Sequence, residues 1–133
     1  LATIEHWDMP QLGLFHLVAR GGERFRLIDR HIATNGLMSG TLERIAHDEP
    51  AGAVDPACRQ VLKLIIERMG AANFPAPIAL DDAAWVGYRL AEILPLDARE
   101  KQALLELRDS TQRLARLRAT LLEKGLVTQG GTT

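Results

Sequence analysis

Hydrophobic and polar positions follow two different periods along this chain. The first part contains short β-prone segments at residues 3–7, 13–20, 24–29 and 37–45. Gly21-Gly22 and Asn35-Gly36 separate them and favour tight turns, because glycine adopts positive φ without strain. The pattern predicts an antiparallel meander, with a hairpin across Gly21-Gly22 whose return strand carries Arg24 and Phe25.

Residues 54–124 repeat apolar positions at three- and four-residue steps, the spacing of one helical face. Four helices are predicted, each preceded by an aspartate that can cap free backbone N–H groups: Asp55, Asp81 or Asp82, Asp97 and Asp109. Gly70, Pro95 and Gly125 end helices. The expected buried stripes are Val61, Leu62, Ile65, Ile66 and Met69; Trp85, Tyr88, Leu90 and Ile93; Leu104, Leu105 and Leu107; and Leu114, Leu117, Leu121 and Leu122.

The change of period near Pro50 divides the chain. We predict an α+β fold with a β-rich subdomain over residues 1–50, a helical subdomain over 51–125 and a flexible tail over 126–133. With 133 residues, of which 47% are hydrophobic and 25% charged, the chain has the composition of a soluble globular protein. Such a chain can form a core without disulfides or metal ions.

Charge and cysteine usage narrow the function classes. The formal net charge of -1 gives no global attraction to nucleic acid or to an anionic membrane. Cys58 has no partner for an internal disulfide, which suits a cytoplasmic location. No apolar run reaches the roughly 20 residues of a membrane-spanning helix, and we expect no signal peptide. The chain opens on Leu1 in the middle of a pattern, so we expect a missing N-terminal segment.

The chain contains one short motif in its β part and three in its helical part. The β part contains a Gly-x-x-Arg-Phe segment in which Gly22 precedes Arg24 and Phe25. The helical part contains Leu94-Pro95-Leu96, then Lys101-Gln102-x-Leu104-Leu105-Glu106, then Arg113-Leu114-x-x-Leu117. In this order the motifs resemble the Lon N-terminal, or substrate-binding, domain over roughly residues 1–124.

The resemblance implies a β-rich part of PUA-like pseudo-barrel form followed by a helical subdomain. It also implies recognition of unfolded or extended polypeptides without catalysis or cofactors. The resemblance leaves open whether a protease or a chaperone is a further partner. The sequence contains neither the family's opening strands nor an ATPase or serine-lysine peptidase module. We therefore expect a stand-alone bacterial Lon-domain protein with an incomplete barrel, in which the motif residues are structural.

Four apolar residues are the candidate polypeptide-binding residues: Trp7, Met9, Leu12 and Phe15. They surround Pro10 in a less regular stretch, where apolar side chains can present an adaptable patch to unfolded segments. The alternative is that they close one end of the core, since scattered apolar residues need no functional explanation. A leucine stripe of the last helices that stays exposed would instead serve homodimerisation.

Two other function classes are weighed against polypeptide binding. Arg20, Arg24, Arg26 and Arg30 would form a basic stripe suited to RNA, but acidic residues interrupt it, and Phe15 and Phe25 fit a core better than base stacking. Nucleic acid is therefore the less favoured partner. A small hydrolase would need an activated nucleophile.

The residues that such chemistry would use are not grouped in the sequence. Ser39 lies in a strand pattern, and Ser110 lies where a helix begins and capping is expected. Neither has an evident base. The four histidines and Cys58 lack metal-ligand spacing, so no metal site is predicted.

Overall fold

The computed structural model describes residues 1–47 and 52–128. Its order of elements confirms the predicted α+β class, with antiparallel strands followed by four α-helices. The strands are β1 (Ala2–Gln11), β2 (Leu14–Gly21), β3 (Phe25–Ile32) and β4 (Met38–Arg44). The helices are α1 (Pro56–Met69), α2 (Ala83–Ile93), α3 (Ala98–Glu106) and α4 (Ser110–Glu123), with a 3-10 turn at Ala71–Asn73.

The chain separates into two compact units, Leu1–His47 and Asp48–Thr133. We call them the β unit and the helical unit. The predicted boundary near Pro50 and most of the predicted tail lie outside the described residues. None of the helices that the structure describes is long and apolar enough to cross a bilayer.

The strands form two separate hairpins rather than a meander. β1 pairs with β2 and β3 with β4, both antiparallel. The predicted hairpin across Gly21-Gly22 is wrong: the first turn lies at Leu12-Gly13, where Gly13 has a φ of +83°. Leu1 explains the difference, because its carbonyl accepts from the Gly22 N–H and its amine donates to the Glu23 carbonyl, both at 2.8 Å. These bonds hold the segment after β2 beside the start of β1. The second turn, at Asn35-Gly36, is as predicted.

The first hairpin has one apolar face. Ile4 lies opposite Ala19 and Trp7 lies opposite Leu17, and these pairs share a face with Phe15 because alternate residues of a strand point the same way. Without an extra residue, Ile4 and Trp7 would point to opposite faces. A register shift between Ile4 and His6 inserts that residue and brings them to the same side.

The second hairpin repeats this arrangement. Its apolar face contains the pairs Leu27 with Leu42 and Ile32 with Met38. Here too a register shift, between Leu27 and Asp29, keeps the apolar pairs on one side. Gly40 lies on this face, where a Cβ atom would come within 2.7 Å of Leu27 Cδ1 and 2.8 Å of the Asp29 carbonyl oxygen. A side chain at this position would therefore collide with backbone.

Replacing Gly40 with alanine will weaken the second hairpin, because the Asp29 carbonyl can move away only by distorting the strand pairing. We expect a cost of about 1–3 kcal/mol and amide hydrogen exchange in β3 and β4 that is roughly tenfold faster. Gly21→Ala is the matched control, since a Cβ there meets nothing within 4 Å. Unchanged exchange in Gly40→Ala would show that the described register is wrong.

The helix starts are those that the sequence predicts. Asp55 accepts hydrogen bonds from the Ala57 and Cys58 N–H groups, both at 3.0 Å. Asp82, rather than Asp81, caps α2, and Asp97 caps α3 in a reciprocal capping box with Glu100. Asp109 caps α4, so the capping role expected for Ser110 is wrong; Ser110 is the first helical residue. At the other end, Gly125 has a φ of +67° and ends α4 as predicted.

The core of the helical unit consists of the following buried residues: Cys58, Leu62, Ile66, Phe74, Ala83, Val86, Leu90, Leu94, Leu104, Leu114, Leu117 and Leu121. Two predicted stripe residues are exposed instead, Met69 at the last turn of α1 and Leu105 on α3. Leu105 follows the buried Leu104 and is rotated by about 100° around the helix, which turns it outward. The buried face of α2 is centred on Val86 and Leu90, not on Trp85 and Tyr88, which are half-buried.

Cys58 is a small residue of the buried core. Its Sγ atom lies 3.6 Å from the Leu114 carbonyl oxygen, and its side chain is fully buried between α1 and α4. Burial, followed by the charge of Asp55, raises the pKa of the Cys58 thiol to about 12. The thiol is therefore neutral at physiological pH and unsuited to nucleophilic or metal-binding chemistry.

Candidate polypeptide-binding site

The four candidate binding residues lie on the first hairpin, not in an irregular loop. Trp7 and Met9 belong to β1, Phe15 belongs to β2, and Leu12 is in the turn between them. Trp7 and Phe15 are 61% and 57% exposed, and Leu12 is 96% exposed. The expectation that Phe15 and Phe25 are core residues is wrong, because both side chains are exposed.

The structure brings Trp7 and Phe15 together. Their ring centroids are 6.2 Å apart with an angle of 49° between the ring planes, a tilted aromatic pair. Met9 lies at a register shift between Asp8 and Gln11, next to this pair. Leu12 is in the turn at the tip of the hairpin. The four predicted residues therefore form one aromatic pair and two neighbours along the same hairpin.

Sequence reasoning missed two further members of this apolar face, Ile4 and Leu17. Both are more than half exposed, and the strand register places them on the side of Trp7 and Phe15. The alternation of Phe15, Leu17 and Ala19 was the available signal. An exposed apolar face with an aromatic pair is typical of an interaction surface.

The opposite face of the same hairpin is polar. It carries the pairs His6 with Val18, Asp8 with His16 and Thr3 with Arg20. Arg20 also forms an ion pair with Glu5. The hydrogen bond that Arg20 donates to the Glu5 carboxylate, together with the charge of that carboxylate, raises the pKa of Arg20 above its ordinary value. The first hairpin therefore has one apolar face and one polar face.

The predicted arginine stripe does not form one face. Arg20 lies on the first hairpin beside Glu5. On the second hairpin, Arg26 is opposite Glu43, whereas Arg30 is opposite Gly40 on the other face. The shift between Leu27 and Asp29 separates these two arginines. The continuous basic surface that RNA recognition would use is therefore not built by these side chains.

The helical motif residues join successive helices. Lys101 donates from Nζ to the Glu92 carbonyl at 3.0 Å, and Arg113 donates from Nε to the Leu104 carbonyl at 3.0 Å and from Nη2 to the Leu107 carbonyl. The guanidinium group of Arg113 also lies 4.2 Å from the centre of the Tyr88 ring. Both cations thus bind carbonyls at the ends of α2 and α3, where a helix leaves them without partners and its dipole attracts positive charge.

A comparison with known protein families finds a match that spans both the β unit and the helical unit. The sequence matches the family model of the ATP-dependent protease La (LON) substrate-binding domain over residues 1–123. The chain belongs to this family. The resemblance inferred from the motifs is thereby confirmed.

A solved structure agrees with this assignment to the Lon substrate-binding domain family. The crystal structure of a Lon N-terminal domain protein from Xanthomonas campestris is similar, with a TM-score of 0.68 and 35% sequence identity over 89% of this chain. This chain covers 64% of the length of that solved chain. The comparison of this chain with curated proteins found no match.

The two serines of the chain, Ser39 and Ser110, lie in different units. Ser39 lies opposite His31 on the polar face of the second hairpin, but within the described chain no hydrogen bond joins their side chains. Both lie on exposed strands. Ser110 is buried at the first position of α4. Across residues 1–47 and 52–128, no cluster of three or more His, Cys, Asp or Glu side chains could hold a metal ion.

Proposed function

We propose that this chain binds extended or unfolded polypeptide without catalysis, and that the apolar face of the β1–β2 hairpin makes the contact. The exposed Trp7–Phe15 pair carries the proposal, because aromatic side chains with few rotamers anchor a partner at low entropic cost. Membership of the Lon substrate-binding domain family supports the same function. Recognition without catalysis would suit transfer of the polypeptide to a protease or chaperone.

The strength of this binding follows from the apolar area. Burying one large apolar side chain stabilises a complex by roughly 1.5–3 kcal/mol, and the ordering of both partners offsets much of that gain. We therefore expect weak, reversible binding. Each strand of the hairpin has a partner on one side only among the described strands, so an extended segment can also pair with an outer edge.

The double variant Trp7→Ser with Phe15→Ser will lose at least about tenfold in affinity for unfolded polypeptide, because it removes both anchors. Fluorescence anisotropy of a labelled, permanently unfolded polypeptide measures the change. Val18→Ser is the control, since Val18 is equally exposed on the polar face of the same hairpin. Far-UV circular dichroism verifies that all variants stay folded. Equal affinities for the double variant and the wild type would contradict the proposal.

A further inference from the structure

The helical unit has a pocket of its own between α2 and α3. Its volume is about 380 Å³, within the range of roughly 300–1,000 Å³ that is common for ligand sites. Five residues of the family motifs line it, together with the ring of Tyr88: Lys101, Gln102, Leu104, Leu105 and Arg113. The lining is largely apolar, so the pocket suits an apolar group.

Arg113 holds the walls of this pocket in place. Its bonds to the Leu104 and Leu107 carbonyls fix the end of α3 against α4, and its guanidinium group packs on the ring of Tyr88. Leu105 lies at the mouth of the pocket and is 44% exposed. The pocket thus has walls that are joined by hydrogen bonds, and an exposed apolar side chain at its mouth.

The mouth of the pocket carries a positive charge. Lys101 uses one of its three N–H donors on the Glu92 carbonyl, which fixes the ammonium group there. Glu92 is the lining carboxylate, and it is already paired with Arg89 at 2.9 Å. In the part of the chain that the structure describes, Lys101 forms no ion pair. An incoming carboxylate would therefore find a positioned cation beside an apolar surface.

We infer that this pocket is a second anchor for polypeptides, one that takes a large apolar side chain with a carboxylate one or two residues away. The apolar side chain fills the pocket beside Leu105 and Tyr88, and Lys101 binds the carboxylate. The inference rests on the proposed function and adds to it a sequence preference. It also gives the exposed Leu105 a role that core packing does not.

Three labelled peptides of identical length test the preference, with Phe-Asp, Ser-Asp or Phe-Lys at the centre. Anisotropy titrations of this chain should show the Phe-Asp peptide binding at least about fivefold more tightly than either of the others. Lys101→Met keeps the aliphatic stem and removes the charge, so it should abolish the preference for Phe-Asp over Phe-Lys. Leu105→Ser should weaken binding of the Phe-Asp peptide by a similar factor.

Leu64→Ser is the matched control for Leu105→Ser, because Leu64 is 50% exposed on α1 and does not line this pocket. If the unfolded polypeptide binds while Leu105→Ser and Leu64→Ser behave alike, the pocket inference is overturned and the proposed function stands. Absence of binding by both the unfolded polypeptide and the peptides overturns both. If Leu105→Ser converts a dimer into a monomer in light scattering, a second copy occupies the pocket and the inference fails.

Discussion

Replacing Arg113 with alanine is expected to destabilise the helical unit by about 3 kcal/mol or more. The side chain is fully buried and joins three elements: it donates to the Leu104 and Leu107 carbonyls at the end of α3 and packs on Tyr88 of α2. Alanine would leave those carbonyls without their partner and a space beneath the ring. Because these bonds fix α3 to α4, the loss should appear in global unfolding.

Urea unfolding followed by circular dichroism at 222 nm measures this change, since the signal reports the helices. Arg116→Ala is the control, because Arg116 is exposed on the same helix and should change stability by less than about 0.5 kcal/mol. Arg113→Lys should fall between the two, since lysine keeps the charge but lacks the planar group that reaches both carbonyls. If Arg113→Ala and Arg116→Ala unfold at the same urea concentration, the role assigned to Arg113 is wrong.

Replacing Leu117 with alanine is expected to cost about 2–5 kcal/mol. Leu117 is fully buried at the middle of α4, the helix that packs against both α1 and α2. Removing three carbon atoms there leaves a cavity that surrounding helices, held by their caps, can fill only in part. The loss combines the lost burial with the cavity itself.

The same urea titration measures the Leu117 variant, and Leu64→Ala is its matched control. Leu64 is also a helical leucine, but half of its surface is exposed, so its replacement should cost less than about 1 kcal/mol. The slope of the free energy of unfolding against urea should stay the same in both variants. A Leu117 variant as stable as the Leu64 variant would mean that α4 does not form the centre of the core.

The helical unit is largely predictable from the sequence because its signals are local. Asp55 caps α1 through its own neighbours, and Gly125 ends α4 through bonds within six residues. The buried stripes follow from helical geometry alone. The errors at Met69 and Leu105 concern residues at the border of a stripe, where a rotation of one position decides between core and solvent.

The β unit was harder to predict because its pairing depends on distant bonds. Gly21-Gly22 has the composition of a turn, yet the hydrogen bonds of Leu1 with Gly22 and Glu23 hold that segment beside the start of β1. The turn of the first hairpin therefore lies elsewhere. The register shift between Ile4 and His6 changes which side chains share a face. Alternation along a single strand does not reveal such a shift. Ile4 was missed for this reason, whereas Leu17 alternates with Phe15 along β2 without a shift and could have been found.

In the candidate sites too, the sequence predicted individual residues but not the contacts that depend on the tertiary arrangement. The unusual density of apolar side chains around Pro10 pointed to Trp7 and Phe15, although not to their pairing across two strands. The motifs pointed to Lys101 and Arg113, but the bonds they form depend on where α2 and α3 end in space. The pocket beside Leu105 depends on that same tertiary arrangement and has no signature in the sequence.

Recognition of unfolded polypeptide is the central claim, and a titration of this chain with one labelled polypeptide in two forms tests it most directly. One form is held permanently unfolded by substitution and the other is folded, at low and at high salt. We expect saturable binding of the unfolded form that survives high salt, because apolar contacts are not screened, and no binding of the folded form. Equal binding of both forms, or binding that disappears at high salt, would contradict the account.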